Sequence, residues 1–117
     1  MFRSVATTLL VLMAGLSAFA QSAPVEWSST AKIANGTCGD GAVARMAEKP
    51  DAVNVKILIG GKVTAEFDMA LAADGSAKGD YRGVMGRQKA ELAPGRGKRL
   101  MTTAQVEGNC QWRWLPN

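Results

Sequence analysis

The chain contains no histidine. This removes the commonest general base and the commonest transition-metal ligand. Ser-His-Asp and Cys-His hydrolases and histidine-ligated zinc sites are therefore excluded. Aromatic residues make up 6% of the chain, three Trp, three Phe and one Tyr, and they are not interleaved with the basic residues as a nucleic-acid stacking surface would need. Cysteine is confined to Cys38 and Cys110, so a thiolate metal site is not expected once these two pair. After Ala20 no segment carries a sustained apolar stripe of 3.6-residue period, which argues against helices. No cofactor and no metal are expected.

The first twenty residues read as a secretory signal peptide. Arg3 supplies a short positive n-region, Val5 to Phe19 an apolar h-region, and Ala18-Phe19-Ala20 an A-x-A cleavage box. The apolar stretch is interrupted by Thr7, Thr8, Gly15 and Ser17 and is shorter than the roughly 20 residues of a bilayer-spanning helix, so no transmembrane anchor is expected. Cleavage after Ala20 leaves residues 21–117 as one domain. Export to an oxidising compartment makes a Cys38–Cys110 disulfide the default reading of the two cysteines. It would close a loop of about 70 residues, for which chain entropy gives on the order of 4 kcal/mol.

Period-two alternation dominates the rest. Between Lys62 and Ala72, Val63, Ala65, Phe67, Met69 and Leu71 share one face, and Lys62, Thr64, Glu66 and Asp68 the other. Val53, Val55, Ile57 and Ile59 alternate in the preceding strand. A two-residue loop at Gly60-Gly61 with regular pairing would set Ile57 opposite Thr64. A three-residue loop, Ile59-Gly60-Gly61, instead pairs Ile57 with Val63, Val55 with Ala65 and Val53 with Phe67, and this is the predicted register. A similar turn at Ala73-Asp74-Gly75 places Leu71 opposite Ala77, Met69 opposite Gly79 and Phe67 opposite Tyr81. Val53 to Ile57, Val63 to Ala72 and Ser76 to Val84 are then a three-strand meander.

From Leu100 to Trp114 the apolar residues fall mainly on even positions, so Cys110, Trp112 and Trp114 are predicted to face inward together, with Gly108-Asn109 able to break the run into two strands. Val25 to Ile33, Ala42 to Glu48 and Arg87 to Leu92 are further strand candidates. About seven short strands with frequent glycine turns indicate an all-β fold, a small antiparallel β-barrel or β-sandwich. A disulfide joining the start of the domain to the last strand favours the barrel.

Two-carboxylate chemistry survives the loss of histidine. Glu66 and Asp68 share a face, which an amphipathic strand also explains. Gly97-Lys98 lacks the remainder of a P-loop, Gly39-Asp40-Gly41 lacks the ligand spacing of a calcium loop, and Asn35-Gly36-Thr37 matches a glycosylation sequon that serves equally as a turn. The formal charge is +4, and its basic part is uneven: Arg82, Arg87, Lys89, Arg96, Lys98 and Arg99 occur against Glu91 alone between residues 82 and 99. Arginines among glycines suit an anion-binding hairpin; a solvated face is the bland alternative. Trp112, Arg113 and Trp114 beside Trp27 are either a ligand platform or core packing against the disulfide.

The layout of signal peptide, Trp27, Cys38, Ile59-Gly60-Gly61-Lys62-Val63, Asp74-Gly75-Ser76-Ala77, Tyr81-Arg82-Gly83, and Cys110 followed by Trp112 and Trp114 resembles small exported β proteins of proteobacteria that lack an assigned function. The resemblance implies a periplasmic or secreted location and supplies no catalytic residues. Size, export and one disulfide are also similar to periplasmic lysozyme inhibitors with small β-barrels. The Ser-Ala-Ser-Gly-x-x-Tyr-like loop those inhibitors insert into their target is absent, and Ser76-Ala77-Lys78-Gly79-Asp80-Tyr81 is its nearest echo. The expectation is a non-enzymatic binding or envelope protein that contacts an anionic polymer, an envelope surface or a protein partner. The alternatives are a periplasmic lysozyme or protease inhibitor and, third, a carboxylate-dependent enzyme.

Overall fold

Alternation of apolar and polar residues is carried through into eight antiparallel strands, in a computed structural model that describes residues 23–39 and 41–117. The signal peptide expected over residues 1–20 lies outside the described residues. The strands are β1 (Val25–Gly36), β2 (Val43–Glu48), β3 (Ala52–Ile59), β4 (Lys62–Ala70), β5 (Ala77–Gly83), β6 (Gly86–Leu92), β7 (Met101–Gln105) and β8 (Cys110–Pro116). They form one sheet in the order β4-β3-β2-β1-β8-β7-β6-β5. This is an up-and-down meander in which the first and last strands pair, bending the sheet into a nearly closed barrel. The barrel form supersedes the sandwich, and the eighth strand comes from the break at Gly108-Asn109. Cys38 and Cys110 are disulfide-bonded, with Cα atoms 5.2 Å apart.

The core lies inside the barrel. Trp27, Met46, Val53, Val55, Ile57, Met69, Met101, Trp112 and Trp114 are all buried there. Outward positions hold charged side chains: Lys56 on β3, Glu66 and Asp68 on β4, Lys78 and Asp80 on β5, Lys89 and Glu91 on β6. A barrel that crosses a membrane requires the reverse arrangement, with apolar residues facing out. Among the described residues no helix is long and apolar enough to span a bilayer.

Three details of the predicted register are corrected. The β3–β4 loop has two residues after all: Ile59 pairs with Lys62 across Gly60 and Gly61, whose φ angles are +61° and +81°. Two consecutive left-handed residues are what a type I′ turn demands and what glycine supplies. The apolar residues recover their phase one step later. Leu58 pairs with Val63 and then Ile57 with Ala65, so Thr64 is the extra residue of a bulge. The Thr64 hydroxyl donates to the Ile57 carbonyl at 3.3 Å. The predicted partners are thus each displaced by two residues, to Val55 with Phe67 and Val53 with Met69, and Val63 is left exposed.

The second correction concerns the meander. β4 and β5 are consecutive but stand at the two ends of the strand order, so no hydrogen-bonded ladder joins them. Their side chains still meet as predicted across this seam. The rings of Phe67 and Tyr81 stack with centroids 4.6 Å apart, and a Cβ on Gly79 would come within 2.7 Å of Met69 Cγ. Glycine at position 79 is what lets the two free edges approach.

The third is the inward face of β7. Met101 and Thr103 point inward, 0% and 1% exposed, instead of the even positions that Cys110, Trp112 and Trp114 occupy in β8. Directly opposed antiparallel residues share a face. The pairs Met101 with Trp114 and Thr103 with Trp112 therefore force opposite parities in the two strands.

Candidate functional site

The six basic residues between 82 and 99 do not form one patch. β6 runs from Gly86 to Leu92, a length of about 20 Å at strand rise, and separates Arg82 and Arg87 near one end of the barrel from Arg96, Lys98 and Arg99 at the other, with Lys89 midway along the strand. Arg82, Arg87 and Lys89 lie exposed on the β5–β6 hairpin, whereas Arg96, Lys98 and Arg99 belong to the β6–β7 loop at the far end.

On the hairpin, Arg82 and Arg87 are directly opposed in register, as are Asp80 and Lys89, and Lys78 and Glu91. The chain turns through Val84 and Met85, with Gly86 at φ +86° closing the turn. Arg87 reaches Asp80 at 3.4 Å, both side chains being half exposed, a pair of the kind that adds little stability. Arg82 has no ion-pair partner among the described residues. Like charges placed directly opposite in a sheet destabilise it by a fraction of a kcal/mol, roughly 0.2–1, so this pair is not explained by folding.

At the other end Arg99 is withdrawn from solvent, which corrects its reading as a surface anion ligand. Its Nη1 donates to Glu48 Oε1 at 2.6 Å and to the Gly97 carbonyl at 2.7 Å, its Nη2 to the Gly75 carbonyl at 2.8 Å, and its Nε to the Ala93 carbonyl at 2.7 Å. The guanidinium also sits 5.6 Å from the centre of a Trp27 ring, within cation–π range. Four carbonyl or carboxylate acceptors from three segments converge on one planar donor, which closes this end of the barrel as a plug. Arg96 adds an exposed contact, 3.6 Å from Glu48 Oε2 and 3.3 Å from the Pro50 carbonyl. Lys98 donates to the Asn117 carbonyl at 3.0 Å.

Glu48 was the residue that sequence reasoning passed over. Its signal was present: Ala44, Met46 and Glu48 share the inward phase of β2, and an acid on an apolar face calls for a buried cation.

The other candidates are placed as follows. Trp27, Trp112 and Trp114 are core residues, at most 6% exposed, so they make no ligand platform. Trp112 and Trp114 meet edge to face at 5.2 Å. Trp112 Nε1 donates to the Gly39 carbonyl and Trp114 Nε1 to Thr103 Oγ1. Glu66 and Asp68 do share the outer face of β4, and Asn54 Nδ2 donates to both, at 3.0 and 2.9 Å. The amide ties them into a surface network. The segment that echoed an inhibitor loop lies mostly in β5, with Ala77 and Tyr81 buried, and does not protrude.

Among the described residues two groups have shifted acidities. Burial raises the Tyr81 phenol to about 12, with Thr103 pulling weakly the other way; the hydroxyl has no hydrogen-bond partner of good geometry. The Asp74 carboxyl is lowered because it accepts from the Ser76 hydroxyl, at 2.6 Å, and from the Ser76 backbone N–H, at 2.9 Å. Both shifts follow from folding, the first from the seam and the second from the β4–β5 turn.

The class these features define is a small disulfide-linked up-and-down barrel, apolar inside and charged outside, with a plugged end and a basic end. Comparison with known protein families, curated proteins and solved structures gave no match.

Proposed function

We propose that this is an exported, non-enzymatic binding protein, periplasmic or secreted, whose β5–β6 hairpin contacts an anionic surface or partner through Arg82, Arg87 and Lys89. The observation that carries the reading is the direct opposition of Arg82 and Arg87. Two arginines at directly opposed positions act against the hairpin's own stability and gain from an anion held between them, since each guanidinium offers a planar fork to sulfate, phosphate or carboxylate oxygens. Local conflicts of this kind in an otherwise consistent fold mark places where function overrides folding. The disulfide agrees with an oxidising compartment.

The test is retention on immobilised heparin, a generic polyanion. The protein is expected to bind and to elute as salt rises, because exposed charges are screened. Substituting Arg82→Gln, Arg87→Gln and Lys89→Gln together should abolish retention, while Arg96→Gln with Lys98→Gln should leave most of it. Unchanged retention of the triple variant overturns the reading.

A further inference from the structure

The basic end of the barrel also carries three exposed valines, one of them the most exposed large aliphatic side chain among the described residues. Val84 at the β5–β6 tip is 68% exposed, Val63 beside the β3–β4 tip 53%, and Val106 in the β7–β8 loop 40%. Contacts link the segments that carry them. The Val106 N–H donates to the Arg87 carbonyl at 3.0 Å. Gln105 Nε2 donates to the Met85 carbonyl at 3.0 Å. On the other side, a Cβ on Gly83 would lie 3.9 Å from Ala65 Cβ, which brings the start of β4, with Lys62 and Val63, alongside the hairpin tip. Lys62, Arg82 and Arg87 are exposed within three residues of these valines, with Lys89 further along β6, and the acids nearest in the chain are Glu66, Asp80 and Glu107.

We infer that this end of the barrel docks on a bilayer surface bearing anionic headgroups, with Val84, Val63 and Val106 entering the headgroup–acyl boundary and Arg82, Arg87 and Lys62 engaging lipid phosphates. The inference rests on the proposed function and specifies its anionic surface. Two features select a bilayer over a soluble polyanion or a protein. A polyanion has no use for exposed valines at loop tips, whereas an interface rewards each apolar side chain it takes up. The valines also stand on or beside turns at one end of the barrel, Val63 being the second residue of β4, a placement that suits a soft planar surface. Charge complementarity supplies the remainder: basic residues near an anionic leaflet are drawn to it individually, and the opposed Arg82 and Arg87 can share one phosphate.

The experiment is co-sedimentation of the oxidised protein with vesicles of phosphatidylcholine and phosphatidylglycerol, beside vesicles of phosphatidylcholine alone and the heparin column. Binding is expected on the mixed vesicles only. Val63→Ser, Val84→Ser and Val106→Ser together should lower vesicle partitioning about tenfold or more and leave heparin retention unchanged. Arg82→Gln with Arg87→Gln should lower vesicle binding roughly tenfold or more and lower heparin retention too. Thermal melts of the variants, expected to match the parent, exclude unfolding as the cause. Vesicle binding that is absent, or indifferent to the valine substitutions, while heparin retention persists overturns the lipid inference and leaves a soluble partner. Loss of neither vesicle binding nor heparin retention on removing the arginines overturns both.

Discussion

Arg99 and Glu48, 51 residues apart in the chain, meet at 2.6 Å inside one end of the barrel. Both are almost fully buried, with side chains 7% and 4% exposed. Removing one member of such a pair leaves an uncompensated buried charge, at a cost of about 3–5 kcal/mol. Arg99→Ala should therefore lower stability by that order in a denaturant titration. Arg96→Ala, which removes a half-exposed contact to the same carboxylate, should cost less than about 1 kcal/mol. Equal effects would show that Arg99 is not a plug.

The opposed arginines predict the contrary sign. Arg82→Thr removes a like-charge neighbour from Arg87 and should leave stability unchanged or raise it by roughly 0.2–1 kcal/mol, measured by the denaturation midpoint. A clear loss would mean that Arg82 serves the fold.

Tyr81 sets the alkaline behaviour. Its folded-state acidity constant stands near 12 against an ordinary 10, so the folded protein keeps the phenolic proton where the unfolded chain has lost it. This contribution is complete below pH 10 and is lost as pH rises from 10 through 12. Tyr81→Phe should flatten that part of the stability profile. At neutral pH the same change removes a buried hydroxyl without a partner and should cost little. A Phe variant with an unaltered decline between pH 10 and 12 would contradict the assignment.

The seam between β4 and β5 has no ladder to hold it. Gly79→Val would drive a branched side chain into Met69, whose Cγ is already 2.7 Å from the Cβ position, and should destabilise by about 1–3 kcal/mol. A neutral result would mean that the seam opens freely.

The disulfide joins residues 72 apart. Cys38→Ala with Cys110→Ala should lower stability by on the order of 4 kcal/mol, which is much of what a domain near 100 residues possesses. Equilibrium unfolding of oxidised and double-alanine protein measures it directly.

What alternation alone could reveal was the strands and the faces of most of them. Cys110, Trp112 and Trp114 point inward together as their spacing indicates, and Phe67 meets Tyr81. Alternation could not locate Thr64 as a bulge, because one inserted residue restores the same apolar phase that a longer loop would. Nor could it show that the β4–β5 contact is a seam: side-chain proximity is the same with or without hydrogen bonds between the strands. The basic segment was legible as charge, but the division into a plug and a surface depends on Arg99 reaching Glu48 across the barrel end, a contact between distant parts of the chain. Only the inward phase of Glu48 hinted at it.

The claim that the hairpin, and not the β6–β7 loop, receives the anion is met most directly by backbone amide NMR during titration with a short heparin oligosaccharide. The account predicts that the amides of Arg82, Val84, Arg87 and Lys89 shift with added ligand while those of Arg96 and Lys98 hold still. Shifts centred on Arg96 and Lys98, or none anywhere, would contradict it.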